Sequence, residues 1–499
     1  MPLPEWRTTA ETISSPWQRI VIFCALLSIP LIVVFFGIAA IMAFVAALTI
    51  LCVLMLYKVI LPVTATSSEN RGDFTGIVTF TSNEIAGLDY KTLPTITVLI
   101  PLFKEGEIIR DGERRVIGPL VESLARLDYP SALLDIQFLL EKEDIETIEA
   151  IYRKRSQYGL NEHSRVQILE PSDPQTKPKA CNVGLEKAWG EIVVIFDAED
   201  KPETDQLKKA VLAFRKSSVK TVCIQGKLAY RNPDTNILTA MQAASYAAWF
   251  DFIMPGLAAW KTHVPLGGTS NYFKTSFLRE VGGWDGFNVT EDHDMGVWIA
   301  RLGYETAIMD STTWEEANVH LGNFVRQQSR WLKGSFATYL VHMRNPWRLY
   351  RDLGLKKLLA FHVLTLLNPA MCAATPIFWM SFGVYVITKI TGFSVGQLFI
   401  ESLYQGPIYW IALFCMTIGT MTYVYVNMAA VMKRELYTIQ LTVMLFSIPY
   451  GLLLGIAAWK ALYQLIVKPH FWEKTNHGLD TSETEGMEEI GATVAAGAD

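Results

Sequence analysis

Cysteine is scarce in this 499-residue chain, and no two cysteines stand close together. The six occur singly, at positions 24, 52, 181, 223, 372 and 415, without any Cys-x-x-Cys pair. Zinc ribbons and disulfide-stapled secreted domains need closely spaced or paired cysteines, so neither class is indicated. The pattern fits a catalytic region that lies in the reducing cytoplasm.

Charged residues are also few, at 19%, while hydrophobic residues make up 51% of the chain. Residues 20–57 contain no Asp, Glu, Lys or Arg, and the run is about twice the roughly 20 residues that one membrane-crossing helix needs. It therefore predicts two transmembrane helices after a cytoplasmic N-terminus at 1–19. A signal peptide has a shorter apolar region, so we expect a retained anchor.

Long apolar runs return only towards the C-terminus, at 358–388, 407–432 and 436–467. Pro369 and Pro449 lie in the first and last of these runs, and proline predicts a helix break because it lacks an N–H donor. We predict interfacial and transmembrane helices over 346–468, with about four crossings there and about six in all. The stretch RNPWRLYRDLGLKK (344–357) fits an interfacial helix on anionic lipid and ordinary positive-inside bias equally well.

Between the apolar segments, short runs of branched apolar residues alternate with helical stretches. The runs are TITVLIPLF (95–103), DIQFLLE (135–141), RVQILE (165–170) and EIVVIFDAED (191–200). This alternation predicts an α/β fold with a parallel sheet and helices on both faces. Ligands of such sheets bind at the carboxyl ends of the strands.

Acidic residues collect at these strand ends. They are Glu105, Glu141, Glu143 and the sequence DAED at 197–200. Asp197 and Glu199 could bind Mg²⁺ (or Mn²⁺), which bridges carboxylates and substrate phosphates, whereas DAED alone fits a solvated acidic turn better. In PQTKPKACNVGL (174–185), Lys177 and Lys179 could donate to a sugar or a phosphate, or could belong to a solvated loop before a helix.

Six motifs resemble those of the family 2 glycosyltransferases, in the same order. They are IPLFKE (100–105), DAED (197–200), IQGKLAYRN (224–232), GGTSNYF (267–273), GGWDGFNVTEDHDMGVWIARLGYET (282–306) and RQQSRW (326–331). The chain resembles the membrane-embedded processive synthases of cellulose, mixed-linkage β-glucan, chitin and hyaluronan. The resemblance implies a GT-A type, Rossmann-like cytoplasmic domain at 90–345, inserted between transmembrane helices of the plasma (inner) membrane.

The resemblance also implies roles for the strand-end carboxylates. Glu105, Glu141 and Glu143 fall where the family contacts uridine. Asp197 and Glu199 stand for the Asp-x-Asp motif, which holds the metal ion and the diphosphate. Glutamate at the second place departs from the family pattern, and Lys179 is expected to bind substrate.

Two further motifs match the catalytic residues of the family. In Thr290-Glu291-Asp292, Asp292 matches the general base; Glu291 is expected in the substrate site, where it and Asp294 would raise the pKa of Asp292 by like-charge repulsion. Gln327, Arg330 and Trp331 match the Gln-x-x-Arg-Trp signature. Arg330 would bind the diphosphate, and Trp331 would face the acceptor sugar; a tryptophan at the membrane interface is the alternative.

GGTSNYF and FWEKTNHG complete the predicted site. Thr269, Ser270 and Asn271 could line the acceptor site, or form a plain turn. FWEKTNHG (471–478) loosely resembles the gating loop of the family, so Lys474 and His477 could contact the diphosphate; a basic-aromatic membrane exit is the alternative. Region 469–499 would thus hold a gating-like motif and an acidic tail.

The favoured function is a processive inverting β-glycosyltransferase that makes a β-glucan from UDP-glucose and passes it through its own channel. The expected partners are a UDP-sugar donor, the growing polysaccharide, the lipid bilayer and export partners, without nucleic acid. Alternatives are transfer to a lipid-linked acceptor, a chitin- or hyaluronan-like synthase using UDP-N-acetylglucosamine, and a non-catalytic export subunit. The sequence fixes neither the sugar nor the linkage.

Overall fold

One large mixed sheet organises the middle of the chain. The computed structural model describes residues 3–35, 60, 76–105, 117–171, 175–392 and 406–475. Within them the strands are β1 (Ile77–Val78), β2 (Ile96–Leu102), β3 (Leu134–Glu141), β4 (Ser164–Leu169), β5 (Ile192–Ile195), β6 (Lys201–Pro202), β7 (Thr221–Tyr230), β8 (Asn271–Lys274) and β9 (Glu305–Glu315). Their order is β1-β9-β7-β8-β5-β2-β3-β4, with β6 beside β9.

The sheet is parallel except at β6 and β8. β2 pairs in parallel with both β3 and β5, while β8 runs antiparallel to β5 and to β7. The start of β8 therefore lies where β5 ends, beside the middle of β7. Strands β2 and β3 are almost wholly buried, as expected for strands covered on both faces, and the predicted α/β class is confirmed.

Helices cover both faces of the sheet. In chain order, the described helices up to residue 342 are α1 (Pro16–Phe35), α2 (Ser82–Ala86), α3 (Ile117–Ala125), α4 (Ile145–Gln157), α5 (Lys177–Lys187), α6 (Gln206–Lys216), α7 (Ile237–Ala248), α8 (Met254–Ala259), α9 (Thr275–Glu280), α10 (Glu291–Arg301) and α11 (Leu321–His342). One apolar core packs α3 and α6 on the first face, and the other packs α5 and α9 on the opposite face. The predicted run 191–200 is strand only to residue 195, because the acidic residues after it form a turn.

Long helices follow the sheet domain. They are α12 (Pro346–Phe361), α13 (Asn368–Thr391), α14 (Gly406–Lys433) and α15 (Gln440–Val467), with a π-helical turn at His362–Leu367 joining α12 to α13. The predicted break at Pro449 is wrong, since α15 continues through it, packed against α11 and α13. The helix also continues past Pro369, because the π-helical turn at His362–Leu367 leads directly into α13.

Two helical stretches in the described part of the chain are long and apolar enough to cross a membrane. They are Pro346–Thr391 and Tyr437–Val467, with mean hydropathy of 1.6 and 2.0. By themselves they are weak evidence for membrane association. Of the predicted helices in 20–57, only the part within α1 is described; residues 36–57 lie outside the described residues, as do 393–405 and 476–499.

Candidate active site

The acidic turn after β5 is joined to the start of α5 by an ion pair. The Lys177 ammonium lies 2.5 Å from Asp197 Oδ1 and donates to the Gly268 carbonyl at 3.1 Å. Burial lowers the pKa of Lys177, but the charges of Asp197 and Glu291 outweigh it and raise that pKa above its usual value. Lys177 therefore ties together three segments that the sequence keeps far apart.

The Asp200 side chain stabilises this turn through two hydrogen bonds. Its Oδ2 accepts from the Asp197 N–H at 2.7 Å and from the Thr269 hydroxyl, and its side chain is buried. Burial and the nearby charge of Asp197 raise the pKa of Asp200 to about 8. Thr269 thus supports the acidic turn and is itself only 1% exposed.

Asp197 and Glu199 are suited to hold a divalent cation with a diphosphate. Among the described residues, no three His, Cys, Asp or Glu side chains form a group that could hold a metal ion by themselves. Mg²⁺ often uses only one or two carboxylates, completed by substrate phosphates and water. Burial, and after it the negative charges of neighbouring carboxylates, raise the pKa values of Asp200 and Glu291 to about 8, and a cation at this turn would offset the second cause.

Asp292 lies in the first turn of α10 and faces the glycine turn before β8. Its Oδ1 accepts from the His293 N–H at 2.8 Å. A Cβ added to Gly268, which has φ of +81°, would lie 3.0 Å from Asp292 Oδ2. Glycine is therefore required there both for the backbone conformation and for the close approach of the carboxylate.

Burial raises the pKa of Asp292 to about 6, against the opposing His293 N–H and the charges of Lys177 and Arg330. The expectation that like charges on Glu291 and Asp294 cause this shift is wrong. Burial dominates, and Asp294 is paired with Arg7 and His342 on the other side of α10. Burial and the Asp292 charge raise the pKa of Glu291 to about 8.

Arg330 on α11 lies among the same carboxylates. Burial lowers its pKa, while the charges of Glu291, Asp197 and Asp292 oppose that effect. Its guanidinium carbon lies 4.6 Å from the centre of the Trp472 ring. An arginine in this place presents a planar cation beside the acidic turn, where a diphosphate would lie.

The other two signature residues lie on different sides of α11. The Trp331 ring stacks on Tyr246 at 6.2 Å with 23° between the planes, and Tyr246 stacks on Tyr230 at 4.1 Å. Gln327 accepts from the Asn318 amide at 2.9 Å and is buried. Trp331 thus lines a cavity, while Gln327 fixes the loop that enters α11.

One face of α11 interlocks with the segment that carries Asp292. Gly334 lies so close to Thr290 that a Cβ would overlap the threonine side chain. Thr338 accepts from the Asn288 amide at 3.0 Å, and His342 contacts Asp294 at 2.9 Å. Because these α11 residues recur every four positions, the helix sets Arg330 and Trp331 against Asp292 along its length.

The segment after α15 covers the carboxyl end of β2. Lys474 lies 3.0 Å from Glu105 Oε1 and donates to the Lys104 carbonyl at 2.8 Å. Lys333 donates to the Phe471 carbonyl at 2.7 Å, and its burial lowers its pKa to about 8. Sequence reasoning missed Lys333, although it follows the Arg-Trp pair by two residues. His477 lies outside the described residues.

The remaining predicted residues are not all brought to the acidic turn. The Lys179 ammonium lies over the Phe287 ring, 4.7 Å from its centre. Glu141 is buried, which raises its pKa, and Glu143 accepts from Gln175 at 3.3 Å. The side chain that joins the ends of β2 and β3 is instead Asp144, which accepts from the Lys104 N–H at 2.5 Å.

Ser270 and Asn271 do not reach the cavity that Asp292 lines. Their side chains are 0% and 1% exposed, and the Ser270 hydroxyl lies 2.6 Å from that of Thr313 on β9. The expectation that Thr269, Ser270 and Asn271 line an acceptor site is therefore corrected. This polar triplet, at the start of β8, is buried because β5 and β7 flank β8 on its two edges and apolar cores cover the two faces of the sheet.

A cavity of about 520 Å³ connects Asp292 with the long C-terminal helices. Asp292, His293, Tyr246 and Trp331 line its inner end. From α13, α14 and α15 it is lined by residues that include Asn368, Tyr423, Asn427 and Tyr450. Isolated amides and tyrosines in apolar helices also serve helix packing, so sequence reasoning alone does not identify this wall.

Residues 94–334 match the family model described as "Glycosyltransferase like family 2". This span contains the acidic turn, Asp292 and the Gln327–Trp331 signature, and its mixed α/β sheet agrees with a GT-A-like glycosyltransferase domain. The prediction that the protein is an enzyme of the glycosyltransferase class is confirmed.

Three relatives show the breadth of this similarity. "Probable glycosyltransferase YdaM" of Bacillus subtilis is 23% identical over 62% of this chain and 69% of its own length. "Glucomannan 4-beta-mannosyltransferase 2" of Arabidopsis thaliana is 28% identical over 50% of this chain and 45% of its own. "Beta-monoglucosyldiacylglycerol synthase" of Synechocystis is 27% identical over 53% of this chain and 54% of its own. The match thus spans about half the length of the last two.

Among solved structures, a mannosyltransferase from Pyrobaculum calidifontis, in complex with GDP-Man and Mn²⁺, is similar over 76% of this chain and 98% of its own. The sequence identity is 18% and the TM-score 0.43.

Proposed function

We propose that this protein is a processive inverting β-glycosyltransferase that adds glucose from UDP-glucose to a growing β-glucan and passes the polymer through its own membrane helices. The observation that carries the proposal is the cavity that leads from Asp292 past Trp331 into helices α13–α15. A transferase that only modifies a soluble acceptor needs no such passage.

The lining of the cavity supports a carbohydrate occupant. Aromatic rings, among them Trp331 and Tyr450, alternate with amides such as Asn368 and Asn427. Sugar rings present flat C–H faces to aromatic side chains and hydroxyls to amides. Polar groups inside an apolar helix bundle are costly unless they face a partner or a polar pathway.

Asp292 would act as the general base on the acceptor hydroxyl. With a pKa of about 6 it is mostly ionised at neutral pH and still basic enough to accept a proton as the new bond forms. Single displacement at the anomeric carbon inverts an α-linked donor to a β-linked product. Gly268 keeps the carboxylate accessible, and Trp331 would orient the acceptor ring beside it.

The leaving diphosphate would lie between the acidic turn and Arg330. Asp197 and Glu199 would hold Mg²⁺ or Mn²⁺, and the ion would supply charge neutralisation at the diphosphate. Arg330 and Lys177 would add fixed positive charge that is already in place before the reaction. Glu105 and the segment carrying Lys474 would enclose the uridine side.

A polymer assay tests this function. Membranes containing only this protein receive radiolabelled UDP-glucose or UDP-N-acetylglucosamine with Mg²⁺, and the product is digested with β-glucanases and chitinase. The proposal predicts a high-molecular-weight product from UDP-glucose that a β-glucanase cuts. A chitinase-sensitive product from the other donor would reassign the sugar, and UDP binding without any transfer would favour the non-catalytic export subunit.

Transfer of one sugar to a lipid-linked acceptor is the second candidate. It is favoured by the apolar residues of the same cavity, such as Leu364, Met371 and Phe378, and by the similarity to a glucosyldiacylglycerol synthase. The same assay separates the two, because label from this reaction would be recovered in the organic phase after extraction.

A further inference from the structure

The N-terminal segment, residues 3–15, lies against the glycosyltransferase domain although it precedes α1. The Trp6 ring meets the Trp298 ring edge to face at 5.4 Å. The Ala10 N–H donates to one oxygen of Asp285 at 2.5 Å, and the Thr9 hydroxyl donates to the other at 3.0 Å. These contacts join residues about 275 positions apart in the sequence.

Arg7 makes the most buried contacts of this segment. One of its terminal nitrogens donates to the carbonyls of Val281 and Gly283, at 2.8 and 2.5 Å. The other donates to Asp294 Oδ2 at 3.1 Å, and both side chains of this ion pair are 0% exposed. The guanidinium therefore joins the turn at residues 281–283 to the first turn of α10.

Asp294 is held from two sides. His342, at the end of α11, contacts Asp294 Oδ1 at 2.9 Å, while Arg7 contacts the other oxygen. Burial raises the pKa of Asp294, but the contacts with His342 and Arg7 more than offset it, so the carboxylate is ionised. Removing one partner of a buried ion pair strongly destabilises the fold, because it leaves an unpaired charge in the interior. The Arg7–Asp294 contact is therefore costly to break.

Asp294 and Asp292 lie two positions apart, which separates them by about 200° around the helix axis. Asp294 therefore points to the back of α10 when Asp292 points to the cavity. A clamp on the back of the first turn sets both the rotation and the position of the carboxylate at the front.

We propose that Arg7 is a positioning residue: it clamps Asp294 to the 281–283 turn and thereby fixes Asp292 in its place beside Gly268. The proposal rests on the assignment of Asp292 as the base. The N-terminal segment would then have a role in the reaction, although this segment does not line the cavity.

Arg7→Gln tests the proposal, with Arg19→Gln as the matched control. Arg19 belongs to the same end of the chain, but it is exposed, and within the described residues its side chain hydrogen-bonds the Ser14 hydroxyl at 3.1 Å. The expected result for Arg7→Gln is a kcat about 10- to 100-fold lower, because a small misplacement of a catalytic group has effects of this size. KM for UDP-glucose should stay within about twofold, since no nucleotide contact changes. Arg7→Lys should recover part of the rate.

A second variant separates positioning from loss of folding. Arg7→Gln combined with Asp294→Asn removes both buried charges, so the fold is relieved of an unpaired carboxylate while the clamp is still missing. The proposal expects kcat to stay low in this variant. Wild-type kcat in the double variant, or in Arg7→Gln itself, would overturn it.

Hydrogen exchange decides the matter independently of turnover. Amides of residues 290–294 should exchange faster in Arg7→Gln than in the wild type or in Arg19→Gln, and unchanged exchange there would overturn the clamp. Failure of the wild type to transfer any sugar would instead refute the proposed function. The exchange comparison would still show whether Arg7 holds this segment.

Discussion

At the scale of single residues, burial raises the pKa values of the site carboxylates more than repulsion between neighbouring carboxylates does. Asp292, Glu291 and Asp200 have raised pKa values chiefly because they are buried at the edge of the sheet. The positive charges of Lys177 and Arg330 oppose this rise at Asp292 and favour its ionised form. The site therefore combines one carboxylate, Asp292, with a pKa of about 6, and two, Glu291 and Asp200, with pKa values of about 8.

Asp292→Asn tests the base directly. Transfer should fall by about 10²- to 10⁴-fold, the usual contribution of a positioned base, while UDP affinity changes little. Transfer rate and UDP binding by calorimetry measure the two effects separately. Substantial synthesis by this variant would remove Asp292 from the mechanism.

The pH dependence of the rate gives a second test of Asp292. A base must be deprotonated, and burial raises its pKa to about 6, so kcat/KM should fall as the pH drops through about 6. A profile that stays flat down to pH 4 would contradict the assignment.

Gly268→Ala tests the close approach to the carboxylate, with Gly303→Ala as control. Both glycines have φ near +80°, so both substitutions should cost about 1–2 kcal/mol of stability. Only the Cβ at 268 would meet Asp292 Oδ2, at 3.0 Å; at 303 nothing lies within 4 Å. We expect a loss of kcat for Gly268→Ala alone, and equal activities would contradict the geometry.

At the scale of elements, α11 sets the distance between Asp292 and the Arg-Trp pair. Gly334→Ala should push the Thr290 segment away and lower kcat by at least about tenfold. Gly322→Ala, in the first turn of the same helix with open space around it, should leave activity unchanged and stabilise the helix by up to about 1 kcal/mol. Steady-state rates and thermal unfolding of the two variants check this.

Elements and their order were predictable because they depend on local patterns. The strand runs, the acidic turn and the helix with the Arg-Trp pair follow from alternation and motif order. The break at Pro449 was predicted wrongly because tertiary packing keeps α15 helical. Local proline rules do not account for contacts with α11 and α13.

The contacts that complete the site could not be predicted in this way. Arg7 meets Asp294 across 287 positions, and Lys333 meets Phe471 across 138. Single basic residues in a segment without a repeating pattern give no sign of their partners. Ser270 and Asn271, at the start of β8, were assigned to the site because composition does not show which way a polar side chain points.

At the scale of the whole molecule, both ends of the described chain contact the glycosyltransferase domain. Arg7 binds beside α10, and Lys474 binds at Glu105. If the long helices cross a membrane, the number of crossings before and after the domain must therefore be even on each side. The counts of two helices in 20–57 and about four after residue 346 are even, and both stay predictions.

Tag accessibility tests this topology. Epitope tags at the N-terminus and at the C-terminus should both be cleaved by protease in inside-out vesicles and protected in right-side-out vesicles. A tag at either end with the opposite behaviour would contradict the even count.

Polymer synthesis in sealed vesicles tests the central claim most directly. Purified protein is reconstituted in proteoliposomes, and radiolabelled UDP-glucose with Mg²⁺ is added outside, so that only outward-facing domains are supplied. The account predicts a long β-glucan at the earliest times, protected from added β-glucanase until detergent opens the vesicles. A product that is short, lipid-extractable or digested without detergent would contradict processive synthesis coupled to passage through the helices.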